Sequence, residues 1–135
     1  MTDQHAAPTV YPCLRYKDAH AAIAWLEQAF GFKRHAVYDG PDGGVAHAQM
    51  TYGAGMIMLG SAKDDFIKDV GVGRQCIHVA VADPDAHHAR AKAAGAKIVR
   101  APNDTDYGSR EYCALDLEGH FWSFGTYWPK ASDPA

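Results

Sequence analysis

Asp18-Ala19-His20-Ala21-Ala22-Ile23-Ala24-Trp25-Leu26-Glu27-Gln28-Ala29-Phe30-Gly31 decides how the rest of this chain is read. Ala22, Ile23, Leu26, Ala29 and Phe30 recur at i, i+1, i+4, i+7 and i+8, which draws one apolar stripe on a helix. Asp18 stands where a side-chain acceptor caps the first turn, and Gly31 stands where a C-terminal residue with positive φ ends the last one. Outward from this helix, Val10 to Tyr16 predicts a strand before it. Phe32 to Tyr38, Val45 to Tyr52 and Met56 to Leu59 predict three strands after it. Gly40-Pro41-Asp42-Gly43-Gly44 and Gly53-Ala54-Gly55 are the turns between them.

The same pattern returns later in the chain. Cys76 to Val81 predicts a strand, Asp83 an N-cap, and Pro84 a first helical residue whose missing N–H costs nothing. That helix runs to about Ala94 and Gly95 closes it. Lys97 to Arg100, Arg110 to Leu117 and Phe121 to Tyr127 predict three strands, with a polar loop over Pro102 to Gly108. Ala86, Ala89 and Ala93 are expected to be the face on which this second helix lies close to its sheet. The repetition makes the fold class α+β, two βαβββ modules in one domain over about residues 9–128. Module one covers about 9–60, a linker 61–73, module two about 74–128, and a tail 129–135. Two such modules are expected to form a curved mixed sheet, with helices on the outer face and a concave ligand cavity inside.

Composition narrows the function. The chain has 135 residues, 47% of them hydrophobic and 21% charged, as a folded globular domain does. The net charge of -3 leaves no basic surplus to neutralise a phosphate backbone, so no nucleic-acid partner is expected. A neutral or cationic small ligand suits that charge better than a polyanion. Met1 to Val10 lacks the apolar core of a secretory signal, and no apolar run reaches the roughly 18 residues of a membrane helix. Cys13, Cys76 and Cys113 are odd in number and widely spaced, the usage of free thiols in a reducing compartment. The expectation is a cytoplasmic protein without a membrane partner.

Few residues carry a chemical signal of their own. His47 and Gln49 are two apart on one predicted strand and therefore share a face; so do Cys76 and His78. These pairs are read as hydrogen-bonding pocket walls, or as a relocated metal site should His47, His78 and Cys76 converge. Side chains at i and i+2 stand about 7 Å apart, beyond the roughly 3 Å of a nucleophile–base contact, so Cys76 and His78 are not read as a catalytic pair. His87 and His88 cannot share a helical face, and an Asp83/His87 pair at i, i+4 is read as a solvated contact. Gly71-Val72-Gly73 precedes a strand, not a helix, and cradles no phosphate.

Leu14-Arg15-Tyr16-Lys17-Asp18 with Ala29-Phe30-Gly31-Phe32, Val79 to Asp83, Ala91-Lys92-Ala93-Ala94-Gly95-Ala96, and Leu115-Asp116-Leu117-Glu118-Gly119-His120-Phe121-Trp122 together resemble the vicinal oxygen chelate superfamily. This is the group of glyoxalase I, extradiol dioxygenases and the fosfomycin- and bleomycin-resistance proteins, and the closing run resembles its glyoxalase-like branch. Enzymes of the superfamily place four metal ligands, usually His, Gln or Glu, on the inner face. Carried over by motif, those positions fall on Tyr11, Met58, Cys76 and Ser123. Tyr and Ser bind divalent ions poorly at neutral pH, a thioether suits only soft metals, and one Cys does not hold an ion. The resemblance therefore implies a binding protein with no metal cofactor. If Ser123 faces the cavity, Phe121 does too, and Tyr11 joins them, a wall that suits planar ligands by stacking and cations by cation–π contact. Trp122 and Phe124 then fill the core. Tyr107 and Arg110 close the polar loop, where Arg110 is either a receptor for a carboxylate at the cavity rim or a surface residue. The ligand-binding candidates are thus Tyr11, His47, Gln49, Met58, Cys76, His78, Tyr107, Arg110, Phe121 and Ser123. The expected function is to sequester a planar, aromatic or cationic metabolite or drug. The alternative is a metal-dependent lyase or dioxygenase with displaced ligands. The family's habit of completing cavities across a two-fold axis implies a homodimer.

Overall fold

A computed structural model describes residues 8–64, 72 and 75–132. The start of the chain, most of the linker with Gly71 and Gly73 of its Gly71-Val72-Gly73 motif, and the last three residues lie outside the described residues. The chain divides after residue 70 into two compact units. No helix among the described residues is long and apolar enough to cross a membrane.

In the first unit, β1 (Cys13–Tyr16) leads into α1 (Ala19–Phe30), followed by β2 (Lys33–Asp39), β3 (Val45–Tyr52) and β4 (Gly55–Ser61). The Asp18 carboxylate accepts the Ala21 N–H at 3.0 Å, and Gly31 ends the helix at φ 81°. Both ends are the ones the sequence predicts. The sheet order is β1-β4-β3-β2, with β1 parallel to β4 and the other pairs antiparallel. Leu14, Tyr16, Ala48, Met50, Ile57 and Leu59 bury one face of this sheet together with Ala22, Ile23, Leu26, Ala29 and Phe30 of α1. The apolar stripe read from the sequence is the stripe that packs.

The second unit repeats the order: β5 (Cys76–Ala80), α2 (Pro84–Ala93), β6 (Lys97–Asp104), β7 (Arg110–Leu115) and β8 (Phe121–Gly125). Its sheet runs β5-β8-β7-β6, with β5 parallel to β8. Asp83 accepts the Ala86 N–H at 3.1 Å, Pro84 opens the helix, and Gly95 follows it at φ 93°. β6 extends through Pro102 and Asn103 into the segment expected to be loop. The pairing with β7 accommodates this through two register shifts, between Ile98 and Arg100 and between Arg100 and Asn103. The Asn103 amide mends the ladder by donating to the carbonyls of Ala101 and Glu111, at 2.9 and 3.0 Å.

One packing expectation is corrected. Ala86, Ala89 and Ala93 are exposed, and α2 instead buries Pro84, His87 and Ala91. An alanine methyl removes little apolar area from water, so an alanine stripe does not fix which way a helix turns. The ring that fits the core is the one turned inward. The His87 ring centroid lies 4.3 Å from that of Phe124, and His87 Nδ1 is hydrogen-bonded to the Tyr112 hydroxyl in the core. The Asp83/His87 pair is therefore no solvated contact: His87 is turned inward.

Candidate functional site

The contact between α2 and Phe124 assigns the two faces of the second sheet. Tyr112, Ala114, Trp122 and Phe124 lie under the helix, all fully buried. Alternation then sends Cys76, His78, Glu111, Cys113, Phe121 and Ser123 to the opposite, helix-free face. Strand register groups them in rows. Cys76 is level with Phe121, and Phe121 with Leu115; His78 is level with Ser123, and Ser123 with Cys113; Gly125 is level with Glu111. Trp122 and Phe124 are core residues, as their alternation predicts.

The middle row is a hydrogen-bonded chain. His78 Nε2 lies 3.0 Å from the Tyr127 carbonyl, which can only accept, so Nε2 carries the hydrogen. In the neutral imidazole, Nδ1 then accepts from the Ser123 hydroxyl, 3.2 Å away. The Cys113 thiol beside it is shifted upward, chiefly by burial, and Ser123 partly opposes the shift. Cys76 is raised as well, first by loss of solvent around the sulfur and then by the Cys113 and Glu111 charges, although the residue as a whole keeps an exposed surface. Both groups are shifted away from the thiolate, the form that acts as a nucleophile.

The edge of this face is aromatic and acidic. Tyr107 and Tyr127 meet edge-to-face with centroids 5.6 Å apart, and both are exposed. The Tyr107 hydroxyl donates to Glu111 Oε1 at 2.8 Å, and the Ser109 hydroxyl donates to Oε2 at 2.9 Å. Arg110 points the other way. It lies on the α2 side of the sheet, its guanidinium against Asp85 at 2.9 and 3.1 Å and Asp104 at 3.3 Å. Carboxylates of the chain itself already occupy it, so it does not belong with the helix-free residues.

The first unit has a corresponding helix-free face. Cys13, Met58 and Gln49 lie in one row across β1, β4 and β3, and Met56 is level with Thr51. His47 is level with Tyr38, their rings stacked at 6.1 Å. Tyr11 precedes β1, half-buried, and its carbonyl accepts from the Cys13 thiol. Met58, Gln49 and His47 thus share a face in this unit, as Cys76, His78, Phe121 and Ser123 do in the other.

The family's metal is tested against these residues directly. Ser123 is engaged by His78, Met58 offers a thioether, and Cys76 is a single sulfur ligand beside them. Among the described residues, no three His, Cys, Asp or Glu side chains gather as a metal ion requires. The donor set does not fit the group. Glu111 escaped the sequence reading because a lone Glu after an Arg carries no spacing signal; its place on this face comes from its row.

A family model described as the Glyoxalase/Bleomycin resistance protein/Dioxygenase superfamily matches residues 4–124. An uncharacterized protein of Mycobacterium bovis is 33% identical over 125 residues, spanning 87% of this chain and 82% of its own length. Among solved structures, TioX from Micromonospora sp. ML1 is similar at 30% identity with a TM-score of 0.73, covering 93% of this chain and 100% of its own. Glyoxalase I from Zea mays shares the fold at 21% identity and a TM-score of 0.71, over 89% of this chain and 44% of the maize chain.

Proposed function

Because the chain belongs to the glyoxalase/bleomycin resistance protein/dioxygenase superfamily, we propose that it binds and sequesters a planar, aromatic or cationic metabolite or drug without the family's metal. One observation supports this above the others. Ser123, at a position where enzymes of the superfamily hold a ligand to metal, spends its hydroxyl on His78. The position is built as a wall. Beside it the Phe121 ring stands in the row of Cys76 and Leu115, an apolar strip of the kind on which a flat ligand stacks. In the same proposal the protein is a cytoplasmic homodimer, and Tyr11, His47, Gln49 and Met58 are the ligand-binding residues of the first unit.

The test has two arms. A native mass spectrum of protein offered zinc, nickel, manganese or iron(II), then desalted, is expected to show less than one metal per chain. One ion per chain, lost on combined His47→Ala and His78→Ala substitution, overturns the proposal in favour of a metal-dependent lyase or dioxygenase. In the second arm, planar aromatic and cationic compounds are screened by thermal shift, since a ligand of the native state raises the melting temperature with concentration. Phe121→Ala and Tyr11→Ala should each weaken the hits roughly threefold to tenfold. Trp128→Ala, past the end of β8, should leave them unchanged. Hits that bind both variants as tightly as the native chain contradict the assignment.

A further inference from the structure

We propose that Glu111 makes the helix-free face of the second sheet selective for an organic cation, a protonated amine or delocalised heteroaromatic cation carried on a planar ring system. The inference rests on the small-molecule reading above and names the chemistry of its ligand. Glu111 is half-buried on this face, where Cys76, Phe121 and Ser123 bring no opposite charge and Arg100 is the cation at the β6 end of the Cys113–Ser123 row. Its two carboxylate oxygens are oriented by neutral donors, the Tyr107 and Ser109 hydroxyls. Hydroxyls fix a carboxylate without cancelling its charge, and each oxygen keeps a lone pair for another donor. Among the described residues no Lys, Arg or His forms an ion pair with it. Its chain neighbour Arg110 is turned to Asp85 and Asp104 on the other side. Arg100 lies in the Cys113 row and remains exposed.

The surroundings suit a cation for a second reason. Tyr107 and Tyr127 stand edge-to-face beside the carboxylate, and the His78 ring centroid lies 6.4 Å from that of Tyr127. A cation bonded to Glu111 stands beside this aromatic pair, where cation–π attraction adds to the ion pair when a ring face is met. Gly125 makes room for this arrangement. A Cβ there would strike the Glu111 side chain and stand 3.0 Å from the Arg110 carbonyl. Phe121 and Gly125 are four residues apart on β8, about 13 Å at roughly 3.3 Å per residue. A ligand of two or three fused rings lying along β8 places its flat body toward Phe121 and its charge toward Glu111.

The experiment compares 9-aminoacridine with acridine at mildly alkaline pH, where the same ring system is cationic in the first and neutral in the second. Native protein titrated by fluorescence is expected to bind 9-aminoacridine roughly tenfold more tightly than acridine. Glu111→Gln should abolish that preference and leave acridine binding unchanged. Tyr107→Phe keeps the ring but removes the hydroxyl that orients the carboxylate, and should reduce the preference severalfold. Circular dichroism checks both folds; Tyr107 is an exposed loop residue, so its variant decides the matter if Glu111→Gln does not fold. Equal binding of both compounds by native protein, or an undiminished preference in Glu111→Gln or Tyr107→Phe, overturns the cation inference while the planar-ligand reading stands. Failure of native protein to bind either compound overturns both.

Discussion

Asp116 joins the turn after β7 to the centre of the second unit. One carboxylate oxygen accepts the N–H groups of Glu118 and His120, each at 3.0 Å, and the other accepts the Trp122 indole N–H at 3.0 Å. The aspartate is 5% exposed and the tryptophan fully buried. This gives a physical meaning to the Asp116-x-x-Gly119-His120 run that carries the family resemblance: it folds a turn and seats a core ring. Asp116→Ala strands a buried indole N–H, at about 1–3 kcal/mol, and removes the acceptor of two part-buried turn amides. Urea unfolding should therefore show a loss of about 2–4 kcal/mol, with Asp116→Asn losing less. A loss below about 1 kcal/mol would mean that the turn holds without its carboxylate.

Between elements, the fork of Arg110 ties α2 to β7 and to the end of β6. Its pairing with Asp85 is two-pronged, and that hydrogen bond is the main cause holding the Asp85 carboxyl below the usual aspartate range. A carboxylate depressed in the folded state contributes stability at pH values above its unfolded range. The contribution disappears as pH falls through the depressed value. Native protein should thus exceed Arg110→Gln in urea midpoint near neutral pH, by a modest margin since the pair is solvated. The margin should close as pH drops below the ordinary aspartate range, and shrink with added salt. A margin that stays constant through acid would assign the effect to the packing of the arginine stem.

At the scale of the molecule, each sheet taken by itself ends in two edge strands, β1 and β2 in one unit, β5 and β6 in the other. Unpaired edges offer rows of N–H and C=O groups that proteins cover or pair. Two-fold pairing of identical chains is the commonest closed arrangement. Light scattering across micromolar concentrations is expected to give twice the 14.6 kDa chain mass; a constant monomer mass would refute the homodimer.

The sequence by itself determined the elements and their repetition. Capping at Asp18 and Asp83, glycines at 31 and 95, and the spacing of Ile23, Leu26 and Phe30 are local properties, set within a few residues by backbone hydrogen bonding and helical period. Alternation in β8 likewise separated Trp122 and Phe124 from Phe121 and Ser123 before any partner strand was known. Only the tertiary structure decided which strand each face meets. The parallel register of β5 on β8 sets His78 against Ser123. The register of β7 on β8 brings Glu111 over Gly125 and sends Arg110 to the helix. The contact of His87 with Phe124 turned α2 away from its alanines. A strand's own sequence states that two sets of side chains are opposed; which set is covered depends on the layer that packs against it, and that layer is distant in the chain.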